Sequence, residues 1–277
     1  MKAVYRGMDQ AALDAGYNNS AAVRNSGLLL QDFDRRSAAL RAAHDAHLDL
    51  RYGPAPRNRI DYFAADRPGS LLIFIHGGYW QMRAKETFSF LASGPLAHGM
   101  HVAMIGYTLA PDISLAGIVD EVCAAITWLK IHAADLGGDP DRMIVSGWSA
   151  GGHLTAMCLE QPGVIGGLAI SGIYDLEPVR LSYLNEKLRL TEEDERSLSP
   201  LHRPLSPRPL VLACGTAELS ELQRQSEQFA AARSGLPGKL LPLAQHDHFT
   251  ILNELADPQG VLALEACALA GLGADAD

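Results

Sequence analysis

Five short apolar runs constrain this chain more than any other feature: "LLIFI" (71–75), "VAMIG" (102–106), "MIVSG" (143–147), "GLAIS" (167–171) and "LVLAC" (210–214). None alternates apolar with polar residues, as a strand with one wet face does. A strand apolar at every position is buried on both faces, which requires helices on each side of a sheet. Stretches of helical spacing separate the runs, near 86–97, 115–135, 151–160 and 220–233; "KLLPLA" (239–244) and a last helix over 257–271 follow. That alternation builds right-handed crossovers. The expected architecture is α/β, a mostly parallel central sheet flanked by helices.

The 277 residues suit one large domain, 1–277, better than two. Residues 1–47 form an N-terminal helical segment, with one or two helices expected over 8–47. "LDLRYG" (48–53) and "RIDYFAA" (59–65) alternate and flank "GPAPRN", as edge strands joined by a turn do. Residues 176–207 break the rhythm. They are charged, then Pro-rich, and too long for a plain connection, so short helices forming a cap, lid or pocket wall are expected there. Ligands of open α/β sheets bind at the C-terminal ends of the strands, where such an insertion would sit.

The net charge of −9 argues against a nucleic-acid partner and an anionic membrane surface. No apolar run reaches the ~18 residues of a membrane span, and "MKAVYRGMDQ" lacks the apolar core of a signal peptide, so a cytoplasmic location is expected. Cys123, Cys158, Cys214 and Cys267 are far apart in sequence and lie in apolar stretches, as buried free thiols do. No metal-ligand spacing is present, so no cofactor is expected. The oligomeric state is open, a homodimer included.

"GWSAGG" (147–152) lies between an apolar run and a helical stretch. In a G-x-S-x-G at a strand-to-helix turn, the serine takes a strained backbone, and the glycines let strand and helix approach without a Cβ clash. The hydroxyl then projects above the sheet, beside the N–H groups of a helix N-terminus. Ser149 is the candidate nucleophile. A serine hydroxyl needs a base. His153 falls in the same helix and reads as structural, and His202 lies in the Pro-rich insertion. "LAQHDHFTIL" (243–252) follows the last strand and offers His246 and His248. His248, anchored by Phe249 and an apolar run, is preferred; His246 is the alternative. The acid that fixes the imidazole tautomer should follow the preceding strand. Glu218 lies in that loop, Glu221 already on the helix. Asp175 is the reserve, and Asp247 is too near in sequence.

"HGGYW" (76–80), "GWSAGG", "SGIYDLEP" (171–178), "ELSELQRQS" (218–226) and "HDHF" (246–249), with "YNN" (17–19) and "DLRYG" (49–53), together resemble the α/β-hydrolase superfamily. Within it they are similar to the kynurenine formamidase (arylformamidase) branch and its bacterial carboxylesterase-like relatives. The resemblance runs to residue 249 and covers most of the chain. It implies a Ser149–Glu218–His248 triad and an oxyanion hole from the backbone of Gly77, Gly78 and Ala150. Animal formamidases carry an aspartate where this chain has Glu218. His76 reads as a brace for the glycine loop. Tyr79, Trp80 and Trp148 are candidate pocket walls, or core packing.

Two reactions fit. One is cleavage of a small carboxylic ester through an acyl-enzyme, which asks less of leaving-group protonation and is preferred. The other is hydrolysis of an aryl formamide such as N-formylkynurenine. A hydrolase-fold binding protein without catalysis is the remote third.

Overall fold

The computed structural model describes residues 3–272; residues 1–2 and 273–277, the ends of the expected 1–277 domain and of the 1–47 segment, lie outside the described residues. Eight strands form one sheet: β1 Leu50–Arg51, β2 Arg59–Phe63, β3 Gly69–Ile75, β4 His101–Ile105, β5 Gly138–Trp148, β6 Val164–Ile170, β7 Leu210–Gly215 and β8 Gly238–Leu243. Their order is β1-β2-β4-β3-β5-β6-β7-β8. β1 pairs with β2, and β2 with β4, antiparallel; every other pairing is parallel. All the apolar runs are strands, and their unbroken hydrophobicity has the expected cause. Leu71, Ile73 and Ile75 of β3 enter one core, while Leu72 and Phe74 enter another on the opposite face. β4 divides likewise, Ala103 and Ile105 against Val102 and Met104.

The sheet order reverses at β3. The chain leaves β3 for β4 on one side, then returns to place β5 on the other and continues outward to β8. The loops after β3 and β5 therefore diverge around a crevice at the strand ends, where open α/β sheets bind ligands. "HGGYW" leaves β3 and "GWSAGG" spans the end of β5.

Some boundaries differ from expectation. The N-terminal segment holds three helices, Gln10–Gly16, Asn19–Ala22 and Ser26–Ala43. Asp9 and Asn18 cap the first two through side-chain oxygens and so cut the segment where periodicity shows no break. The last helix is Val261–Leu269, shorter than 257–271, because Asp257 closes a turn by accepting from Gln259 N. Residues 176–207 form the short helices Glu177–Leu181, Asn185–Leu188 and Glu192–Leu198 and a 3₁₀ turn at Pro200–His202. They are tied down: Gln81 Nε2 donates to Leu184 O (2.8 Å), and Leu176 N donates to Ser199 Oγ (2.9 Å). Buried Asp61 of β2 joins the long N-terminal helix to the sheet by pairing with Arg41, and it also holds the ammonium of Lys85, itself 3% exposed, at 2.8 Å. The four cysteines are free thiols, but two are not far apart in space: Cys123 Sγ lies 3.4 Å from Cys158 Sγ. No helix among the described residues is long and apolar enough to cross a membrane.

Candidate active site

Ser149 sits between β5 and the helix Ala150–Met157 with φ 58° and ψ −116°. That is a strained region for a residue with a Cβ, and such strain persists only where surroundings over-determine it. Here Ser149 N donates to Ile170 O at 2.8 Å, and the flanking glycines have no room to spare. A Cβ on Gly147 would lie 2.3 Å from Gly151 O, and one on Gly151 would lie 1.9 Å from Ile75 O. The elbow thus needs its glycines for close backbone approach, as the spacing indicated.

Glu218 follows β7 in a tight turn, Glu218 N donating to Gly215 O at 3.2 Å. Its side chain curls back over that turn. Oε1 accepts from Gly215 N and from Ser171 Oγ, both at 2.6 Å. Oε2 faces His248 Nδ1 at 2.9 Å. The extra methylene relative to aspartate is absorbed by this folding back. His248 follows β8 on a turn that Asp247 caps, its Oδ1 accepting from Phe249 N (2.9 Å) and Thr250 N (2.8 Å). Trp148, the residue before Ser149, donates its indole N–H to His248 O at 2.7 Å, and its ring packs on the imidazole with centroids 4.7 Å apart. Nucleophile candidate and imidazole are thereby joined through adjacent residues. All three side chains are buried. Among the described residues, neither the Ser149 hydroxyl nor His248 Nε2 is hydrogen-bonded to a protein group. Such contacts often tighten only when substrate arrives.

Gly77 lies against the elbow: a Cβ there would be 2.6 Å from the Trp148 ring and 3.0 Å from Ser149 Cβ. Among the described residues, no protein acceptor takes the N–H of Gly77, Gly78 or Ala150. Backbone donors left free in this way next to a serine could bind a developing oxyanion, and Gly77 and Ala150 both adjoin Ser149. His76 braces this loop. Its Nδ1 is 2.7 Å from Gly77 O, its ring stacks on Tyr107 at 4.3 Å, and Tyr107 Oη donates to His76 O at 2.9 Å.

The remaining candidates separate. His246 pairs with Glu254 at 3.3 Å, and Asp175 meets Tyr5 Oη at 3.4 Å and Glu177 N at 3.1 Å. Glu221 pairs with Arg224. Trp80 has no exposed surface and stands edge-on to His153 at 5.0 Å, so it packs the core and does not wall a pocket. Tyr79 is 8% exposed with its hydroxyl bonded inside the protein. Trp148 flanks the imidazole. Sequence reasoning missed Ser171, which holds the Glu218 carboxylate, and Tyr107. A lone loop hydroxyl has no spacing signature that would reveal either.

His76 and His153 titrate alike. Desolvation by complete burial is the largest cause, and it pulls both from 6.5 down to about 4, against the opposing hydrogen bonds to Gly77 O and Leu198 O. Between those values the unfolded chain binds protons that the folded chain excludes. Stability is therefore full above about pH 6.5 and is lost as pH falls through about 4, by roughly 2–3 kcal/mol per imidazole at about pH 4.5. Urea unfolding from neutral to about pH 4.5 should show this decline, with a shallower slope in His153→Asn. A midpoint constant over that range would contradict the assignment.

A strained serine elbow at the switch point of a mostly parallel sheet, with an acid-held imidazole beside it, defines an α/β-hydrolase. The BD-FAE family model matches residues 63–161. The kynurenine formamidase of Danio rerio is 30% identical over 236 residues, 78% of this chain and 78% of that protein. The chain belongs to the kynurenine formamidase family. The esterase LipQ of Mycobacterium tuberculosis is 34% identical over 149 residues, 50% of this chain and 34% of that protein. A Silicibacter sp. protein provisionally called a thioesterase superposes with a TM-score of 0.83 at 27% identity, covering 91% of this chain and 97% of that one. The protein is thus a hydrolase of carboxylesterase or arylformamidase type.

Proposed function

We propose that Ser149, His248 and Glu218 act as a catalytic triad on an aryl formamide, with small aryl esters as the second substrate class. The observation that carries the triad is the 2.9 Å contact between Glu218 Oε2 and His248 Nδ1, on an imidazole held beside the serine elbow by Trp148. Glu218 keeps the proton on Nδ1 and leaves Nε2 free to accept. His248 takes the Ser149 proton as Oγ attacks the carbonyl carbon. The tetrahedral oxyanion develops against Ala150 N–H and the glycine N–H groups. The C–N or C–O bond breaks, and His248 returns the proton to the departing amine or alcohol. Water, losing a proton to the same imidazole, attacks the acyl-enzyme; the Oγ–acyl bond breaks, the imidazole returns that proton to Ser149 Oγ, and the acid leaves.

Leaving-group chemistry alone favours the ester. The relative matching over 78% of the chain is called a kynurenine formamidase, whereas LipQ matches half of it. That difference supports placing the formamide first. The expected result is a kcat/KM for N-formylkynurenine about tenfold or more above that for an aryl acetate; the reverse order would favour the esterase reading. A chain that cleaves neither and resists a fluorophosphonate would be the non-catalytic binding protein. The cap role of residues 176–207, within one hydrolase domain, belongs to the same proposal and is supported by the ties to Gln81 in the glycine loop and to His153 in the nucleophile helix, whose Nε2 lies 2.8 Å from Leu198 O.

A further inference from the structure

The loop that carries the glycine N–H groups is strained, and the N-terminal segment holds it. Gly78, Tyr79 and Trp80 all have positive φ, at 113°, 50° and 59°. Two successive side-chain-bearing residues in that region cost free energy and need outside support. Trp80 obtains it from burial and from Ala110 N, which donates to its carbonyl at 2.8 Å. Tyr79 obtains it from residues some sixty positions earlier. Its hydroxyl donates to Tyr17 O at 2.6 Å and accepts from Asn19 Nδ2 at 2.9 Å.

The direction of these bonds is forced. A backbone carbonyl only accepts, so the single Tyr79 proton goes to Tyr17 O. The Asn19 group facing the same oxygen must then be the NH₂. Among the described residues, the Asn19 carbonyl oxygen is left buried and without a partner, in a residue only 5% exposed. A buried unpaired acceptor opposes folding and calls for an explanation.

The other end of this segment is fastened near the acid. Gln225 Nε2 donates to Tyr17 Oη at 3.1 Å, while Gln225 Oε1 accepts from Tyr174 N (2.9 Å) and Asp175 N (2.8 Å). Gln225 lies on the helix Ser220–Ala232, which follows the Glu218 turn. The segment therefore links the loop after β3 to the elements after β6 and β7, spanning the strand ends on which Ser149 stands.

We infer that Asn19 is a positioning residue for the oxyanion donors: through the Tyr79 hydroxyl it holds the Gly77–Gly78 N–H groups in their strained, substrate-facing arrangement. This rests on the serine-hydrolase reading above. It assigns Tyr79 the work of an anchor, and it gives "YNN" a task in the reaction.

The test uses Asn19→Leu, Tyr79→Phe and the double variant on an aryl acetate and its thionoacetate analogue. Active sites are counted by fluorophosphonate titration. Each single change should lower kcat per titrated site by about tenfold or more with KM within about twofold, since donors that drift are missed mainly in the transition state. The carbonyl-to-thiono rate ratio should fall, because sulfur gains less from those donors. The double variant should lose no more than the worse single one, since both act through one contact. A loss carried by KM, an unchanged carbonyl-to-thiono ratio or additive losses would overturn the inference. Should Asn19→Leu not fold, Tyr79→Phe and Asn19→Ala carry the same comparison. A wild-type chain that fails to react with the fluorophosphonate removes the underlying reading; normal labelling with unchanged kcat in the variants removes this inference alone.

Discussion

Ser149→Ala should lower kcat by about a million-fold and leave the fold intact. The magnitude is that of deleting the nucleophile from a serine hydrolase, where only binding and the oxyanion donors remain to act. The fold should survive because, among the described residues, the hydroxyl makes no hydrogen bond to a protein group, while the backbone stays fixed by Ser149 N on Ile170 O. The same position should show a conflict between stability and activity. At φ 58° and ψ −116° any Cβ is strained, so Ser149→Gly should be as inactive as the alanine variant and more stable, by roughly 1 kcal/mol or more. Thermal unfolding of the three proteins beside steady-state rates checks both halves. A glycine variant less stable than the alanine variant would show that the elbow is not strained.

Glu218→Gln should lower kcat by about ten thousand-fold with little change in stability. The size follows from which way the new amide must point. Gly215 N–H is a fixed donor to Oε1 at 2.6 Å, with Ser171 Oγ at the same distance, so the amide oxygen stays there. The NH₂ then faces His248 Nδ1 at the position of Oε2. Nδ1 becomes an acceptor, the proton moves to Nε2, and the nitrogen facing the serine can no longer take its proton. Glu218→Asp keeps the charge but not the fold-back onto Gly215, and should retain far more activity than the isosteric amide. Comparable losses in the two variants would mean that reach, not tautomer control, decides the role of this carboxylate.

The parts of the molecule legible in sequence are those with a repeating physical cause. Strands buried on both faces must be apolar throughout, so β3 to β7 stood out. The elbow was legible because Gly147 and Gly151 answer a backbone approach that no other residue permits. Glu218 and His248 were legible because each follows a strand of a parallel sheet, and such loops gather at one edge. What escaped depends on contacts without periodicity. Ser171 meets Glu218 across 47 residues, and Asn19 meets Tyr79 across 60. Trp80 read equally well as pocket wall or core until its burial was known, because neither role has a spacing of its own. The break between the first two N-terminal helices turned on one Asn18 side chain accepting from Ala21 N.

The central claim is that Ser149 is a nucleophile activated by a Glu218-held His248. Mass spectrometry of the protein after brief exposure to a fluorophosphonate tests it most directly, with the modified peptide sequenced. The expected result is one adduct per chain on Ser149, none in Ser149→Ala, and labelling at least about a thousandfold slower in His248→Ala. An adduct on another residue, or a His248→Ala variant that labels at the wild-type rate, would contradict it.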